Sequence, residues 1–536
     1  MNIKSGLALI VSLLAITTGM MNAQSTLYWY PNAAPNQGGT GTWSGTGLQW
    51  STTSGTTKTV SPTDPQNGDS VVFGGNSGTV TIGAYNTNAL NDFRVDTSGY
   101  VFRVGSGGGH TIKLSTFSGS ALSSAMILGT GNVSTNFEVS GNTAFTGSIA
   151  PGVGTFNIAK SGTGRLDLSS AGLGYTGATT FNGGGLWLSK AQVASGTSGG
   201  LVGALRFGAA SNQGGTLTVI GDGGTSTFNR TLGTEILIGV TGSATDGTFG
   251  GFGARNGNLV VNFGGSSAVA SWGNAGFRAT TFILGTADST HTVSLSNALS
   301  LTVDGRILQV QNGSAAIDAV ISGSISTLAV GRILTKEGDG TLVLSGTTGS
   351  SIRLNQTAGT ILIDGSWSST VDNTNYGIQV ASGATLGGDG LVSLSAAALN
   401  VSGILMAGRG EADESLTLSG AVNLLSNSTL AFALGSSAAE RDYLIRTGGV
   451  WSFQSNQKVR LFDAGAIETT YTLITGLSGT VNVSGWQIVD SGGLVGTFSS
   501  DASNVYVTLS AIPEPSTLVL IVVATGFVLF RRRRAS

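Results

Sequence analysis

Short runs in which apolar residues alternate with Thr, Ser or Asn, separated by glycine, recur along almost the whole chain. Ser70–Phe73, Thr79–Ile82, Thr216–Ile220, Asn258–Phe263 and Thr341–Leu344 are examples. Period-two alternation rich in β-branched residues marks strands. The separators, such as Gly74-Gly75-Asn76 and Gly338-Asp339-Gly340, carry residues that accept the left-handed backbone of tight turns. Almost no helical periodicity accompanies them. The expected fold is therefore all-β and built from short strands. Glycine is 86 of 536 residues and charged residues are only 10%. So little charge suits strands stacked on both faces.

The spacing of the strands narrows the fold further. Lys160–Ser169 matches Lys336–Ser345 in its Lys-x-Gly-x-Gly-x-Leu-x-Leu-Ser frame. A second Gly-then-strand unit follows each copy, placing Leu186 twenty residues after Leu166 and Ile361 nineteen after Leu342. A recurrence near twenty residues fits one coil of a β-solenoid, in which like residues stack from coil to coil. The body then holds on the order of 20 coils at about 4.8 Å each, a rod of roughly 100 Å.

Residues 24–100 read as an N-terminal cap with the first coils, and 101–439 as the solenoid body. Residues 440–511, with Trp451, Trp486 and Tyr471–Ile474, read as a C-terminal cap and spacer. Tyr28, Trp29, Tyr30, Trp43 and Trp50 cluster near the start. They close the first coil, the alternative being a platform for stacking on sugar rings.

Several chemistries are excluded or weak. With no Cys there is no disulfide, Cys-ligated zinc or thiol nucleophile. Sparse Lys and Arg and a net charge of −2 argue against a nucleic-acid partner. His110 and His291 are the only histidines, and neither has a Gly-x-Ser-x-Gly elbow beside it. Asp339, Asp364 and Asp389 lie at equal intervals, which raises a carboxylate set across successive coils. Each also sits beside glycine, the setting of a turn residue, and the turn is preferred. Gly387-Gly388-Asp389-Gly390 is an isolated unit rather than a tandem calcium-binding repeat. Gly105–Gly109 lacks the Lys-Ser/Thr of a phosphate loop. No catalytic residue, metal or cofactor is assigned.

The two ends read as addresses. Lys4, the apolar run Leu7–Ile16 and the small Ala23 before Gln24 form a secretory signal over residues 1–23, cut by signal peptidase between Ala23 and Gln24. At the other end Pro513-Glu514-Pro515 precedes the apolar segment 518–530 and then Arg531, Arg532, Arg533 and Arg534. The arginines hold that end on the cytoplasmic side of the inner membrane. This three-part order resembles the PEP-CTERM sorting signal of Gram-negative bacteria, over residues 512–536. The resemblance implies a transient C-terminal transmembrane sorting helix and processing by an exosortase-type enzyme near Pro513–Pro515. Release to the cell surface or outside, often beside exopolysaccharide, would follow. The mature body would be more acidic, since five cationic residues leave with the signals against only Glu514.

Residues 160–189 resemble the autotransporter-associated β-strand repeat, with Tyr175-Thr176-Gly177 in the variable turn. Residues 336–365 follow it without that tripeptide, and the likeness continues through Ala381–Gly390 and Leu405-Met406-Ala407-Gly408. The family commonly has Leu-Ala-Pro-Gly at the last position. The resemblance implies a right-handed parallel β-helix. An autotransporter ends in an outer-membrane barrel, whereas this chain ends in the apolar segment and four arginines, so self-export is not expected. The functional expectation is a non-catalytic exported surface or matrix protein, structural or adhesive, with exopolysaccharide or matrix glycans as partners. The alternative is a β-helix polysaccharide hydrolase or lyase.

Overall fold

The structure is a computed structural model. It describes residues 24–510 apart from short internal segments, of which 83–89, 194–200 and 240–246 are the longest. The signal over 1–23, Gly105–Gly109, and the sorting elements Pro513, Glu514, Pro515, 518–530 and Arg531–Arg534 lie outside the described residues. Among the described residues no helix is long and apolar enough to cross a membrane.

The fold is all-β. Strands gather into sheets of ten, 22, six and eleven members, and the only helix among the described residues is Lys190–Val193. Strand neighbours are far apart in sequence and run parallel, so each sheet is built by successive passes of the chain, the pattern of a β-solenoid. Among the described residues, antiparallel ladders between strands occur only near the two ends, with isolated antiparallel bridges between Gly388 and Gly408 and between Leu434 and Arg441. Thr26–Trp29 pairs so with Trp50–Ser51, and Val505–Ser510 with both Thr470–Thr475 and Val495–Ser500.

The sequence repeats mark real coils. Leu166 pairs directly with Leu186, and Leu342 with Ile361. The 11-stranded sheet carries one apolar row through Leu259, Val293, Ala319, Leu342, Ile361, Leu386, Leu405, Leu430 and Val459. All nine are buried. Burying a side chain such as Leu or Ile contributes about 1.5–3 kcal/mol, and the row repeats that gain at each rung.

Two expectations are corrected. Eleven rungs span residues 226–488, so the coils there average more than twenty residues. Phe252 stacks on Leu217 thirty-five residues earlier. Only the strands must keep register; the turns between them absorb extra residues cheaply. Burial on both faces holds for only some strands, such as Thr429–Leu434 and Phe249–Arg255. Leu259–Asn262 and Ala298–Leu301 alternate buried with half-buried residues. In these two strands Asn262 and Ser300 are half-buried on the outer face.

Four of the five N-terminal aromatics are inside, and Tyr28 is half-buried. Trp29, Trp43 and Trp50 are buried, with Trp50 centred 5.2 Å from Trp29 and 4.9 Å from Trp43 in edge-on contacts. Phe73 packs 5.8 Å from both Trp29 and Trp50. Rings spent on one another cannot also form an open platform for sugars.

Candidate ligand-facing groove and its carboxylates

The outer side of the 11-stranded sheet carries an apolar strip. Val343, Leu362, Met406 and Ala431 form a second buried cluster, separate from the main core, with Ile317, Val320, Ile404 and Phe462 against it. These residues alternate with the inward row, as the pleat requires. Beside the strip runs a threonine row in which Thr341 pairs with Thr360 and Thr360 with Thr385. Together with Arg409 and Glu414 they line a groove of about 440 Å³.

Arg409 follows the short strand Ile404–Met406 and reaches back over two earlier coils. Its Nη2 lies 2.8 Å from Asp364 Oδ2 and 3.5 Å from Asp389 Oδ1. Its Nε is 3.7 Å from Glu414 Oε1, while its backbone N–H donates to Glu414 Oε2 at 2.5 Å. Successive coils thus bring two of the three equally spaced aspartates to one guanidinium. Asp339 is not among them. It stays in its turn, where its charge supports the neighbouring Lys336 ammonium.

Burial pushes the Asp364 carboxyl above its ordinary value, the Arg409 charge pulls it down, and the nearby Asp389 raises it again. Asp442 lies deeper and is fully buried. Burial pushes it up to about 7, against the backbone N–H groups of Glu414 and Ala433 that donate to its two oxygens at 3.1 and 3.2 Å. This set can fix three coils together. It does not leave a carboxylate pair facing an open cleft, because Arg409 is bound to both Asp364 and Asp389.

Among the described residues no group of three or more His, Cys, Asp or Glu side chains is placed to hold a metal ion. Gly388 serves a close approach: at φ +115° its backbone passes Ile363, whose carbonyl oxygen would stand 2.3 Å from an added Cβ. His291 Nδ1 is 2.9 Å from Thr290 Oγ1, and the His110 backbone pairs with Thr135. Gln24 is exposed at the first described position, and Ala23 lies outside the described residues.

Two lysines escaped the sequence reading, which used them only as the first letters of a repeat. Lys160 and Lys336 are fully buried. Lys160 Nζ donates to the carbonyls of Ser161, Gly162 and Gly183 at 2.6, 3.1 and 3.1 Å. Lys336 Nζ donates to those of Gly338, Gly340 and Ala358 at 2.6, 2.6 and 2.9 Å. Burial lowers each ammonium to about 8. The available signal was a lone lysine ahead of a Gly-x-Gly turn in a chain with so few charges.

No family model matches this sequence. The chain is similar to the Adhesin BmaC autotransporter of Brucella suis biovar 1 (strain 1330), at 27% identity over 411 residues. The match covers 70% of this chain and 10% of that protein, so the chain spans about a tenth of the length of that relative.

Proposed function

We propose that this chain is an exported, non-enzymatic surface or matrix protein whose β-solenoid body is structural or adhesive. The observation that carries the reading is the similarity over 411 residues to an autotransporter adhesin, in a chain that folds into long parallel sheets. Right-handed coiling is part of the proposal, since parallel strands joined by a crossover are right-handed in about 98% of cases. So is the route. Signal peptidase cuts after Ala23, the 518–530 segment anchors transiently in the inner membrane, and an exosortase-type enzyme processes the Pro513–Pro515 region. The order of motif, apolar segment and arginine cluster supports this route. Exopolysaccharide or matrix glycan is the proposed partner, held weakly at many rungs so that avidity replaces single-site affinity.

A polysaccharide hydrolase or lyase is the second reading. It is favoured by one observation, the meeting of Asp364 and Asp389 from successive coils with Asp364 shifted upward. The experiment that separates the two incubates the purified protein with the producing cell's exopolysaccharide and follows retention and oligosaccharide release by mass spectrometry. Retention without release is expected. Release that disappears in Asp364→Asn with an unchanged melting curve overturns the non-enzymatic reading. Protease shaving of intact cells tests the location: loss of the protein from unbroken cells is expected, and full protection overturns export to the surface.

A further inference from the structure

A second trough lies on the outer face of the 22-stranded sheet, away from the Arg409 groove. One outward row runs through it: Arg165 pairs with Gly185, Gly185 with Thr216, Thr216 with Gly251, Gly251 with Ile283, Ile283 with Gln309, and Gln309 with Glu337. Six steps at about 4.8 Å give a track of roughly 29 Å along the stacking direction. Part of that track is a recess of about 630 Å³. Gly185 forms its floor: an added Cβ there would meet nothing nearer than Thr216 Oγ1 at 3.6 Å.

The walls are set up for a hydroxyl-rich ligand. Two guanidinium groups stack on the Trp187 ring, with Arg165 Cζ 3.8 Å and Arg255 Cζ 4.5 Å from its centroid. Its Nε1–H donates to Asp288 Oδ2 at 3.0 Å, and Thr286 Oγ1–H donates to Asp288 Oδ1 at 2.5 Å. Arg165 and Asp288 are thus held in place at the recess wall. Gln311 Oε1 accepts from the Ala287 N–H at 2.9 Å, which fixes its amide plane. Phe249 and Ile283 add apolar surface, and Gln309 and Glu337 add planar polar groups.

We propose that this trough binds an extended, uncharged polysaccharide strand lying across the rungs. The inference rests on the reading of the protein as a glycan-associated surface solenoid and assigns that contact to one face. Three features select the occupant. The cations Arg165 and Arg255 are balanced by Asp288 and Glu337, so the trough offers no net attraction to a polyanion. The backbone groups of this face are already paired within the sheet, so an extended peptide gains no strand-addition hydrogen bonds. Alternating amide, hydroxyl and apolar surface at a fixed rung spacing matches a polymer of sugar rings, whose faces are apolar and whose edges are hydroxyls.

The test is affinity electrophoresis of the full-length protein in gels cast with neutral polysaccharides (hydroxyethylcellulose, xyloglucan and a β-1,3-glucan) and, separately, with the anionic polymers alginate and hyaluronan. Retardation by at least one neutral polymer is expected. Gly185→Phe, which fills the floor at an extended strand position, is expected to weaken it at least tenfold. The double variant Gln309→Ala/Glu337→Ala adds no bulk and is expected to do the same, with melting curves kept near wild type. Retardation by no neutral polymer, by anionic polymers alone, or by a neutral polymer equally in wild type and both variants overturns the trough. Undiminished binding in the variants by a protein that is still shaved from intact cells sinks the trough and leaves the surface reading standing. A protein wholly protected from shaving, but whose variants lose glycan binding, sinks the surface reading instead.

Discussion

Lys160 and Lys336 hold the same place in two distant copies of one motif, each ammonium bound to three main-chain carbonyls of a glycine turn and of the next coil. The motif is the same but the corner is not. Lys160 lies in Phe156–Ser161 of the ten-stranded sheet, and the turn after it leads into the 22-stranded sheet. Lys336 lies in Arg332–Glu337 of the 22-stranded sheet, and its turn leads into the 11-stranded one. A buried cation with three carbonyl partners satisfies acceptors that a sharp turn leaves unpaired.

Lys336→Met keeps the length and apolar stem of the side chain and removes the donor. The carbonyls of Gly338, Gly340 and Ala358 then lose it, and a loss of about 2 kcal/mol or more is expected. Urea unfolding measures it. A midpoint equal to wild type would show that the turn does not depend on the ammonium.

Arg409→Ala removes the cation that Asp364 and Asp389 share. Asp364 is largely covered, with only 10% of its side chain exposed, so its charge is left poorly solvated. The expected cost is about 1–2 kcal/mol, kept small by the exposed guanidinium. Adding Asp364→Asn is expected to recover part of it, giving a coupling of about 1 kcal/mol in a double-mutant cycle. Strict additivity would show that the pair does not act together.

Asp442 gives a pH signature with a definite sign. Its carboxyl is raised to about 7, chiefly by burial, from an ordinary 3.8. Between those values the folded protein holds a proton that the unfolded chain has released, so this group's stabilisation is full below about pH 4 and is lost as pH rises through 7. Wild type should therefore lose stability relative to Asp442→Asn by on the order of 2 kcal/mol between pH 4 and pH 7.5, after allowing for solvent screening. Paired melting curves across that range check it; a constant difference contradicts the shift.

Gly388→Ala tests close packing between coils. The new Cβ meets the Ile363 carbonyl oxygen at 2.3 Å on a backbone with φ +115°. A cost of about 2–3 kcal/mol is expected from strain and displaced backbone. Gly383→Ala, also at positive φ but with nothing within 4 Å, is expected to cost only the backbone term, about 1 kcal/mol. Equal losses would remove the packing argument.

The strands were legible because period-two alternation records an inside and an outside directly. Ser70–Phe73, Thr79–Ile82 and Thr341–Leu344 are strands with the bounds read from the sequence. The coil was legible where its turns are short, as at Leu166 and Leu186. It was not legible from Leu217 to Phe252, where a longer excursion breaks the period without breaking the stack. The meeting of Asp364, Asp389 and Arg409 was half visible. Equal spacing hinted at the aspartates, but nothing near Arg409 in the sequence pointed to them.

The sequence by itself determined an all-β chain, its turn positions and the coil length of its two clearest repeats, because these depend on local sterics and on a two-residue pleat. Only the tertiary structure decided which corner each repeat occupies, which aspartate meets an arginine, and that Trp29, Trp43 and Trp50 face inward. Those outcomes depend on how residues from different coils come into register, and that register is set by the summed length of every turn between them.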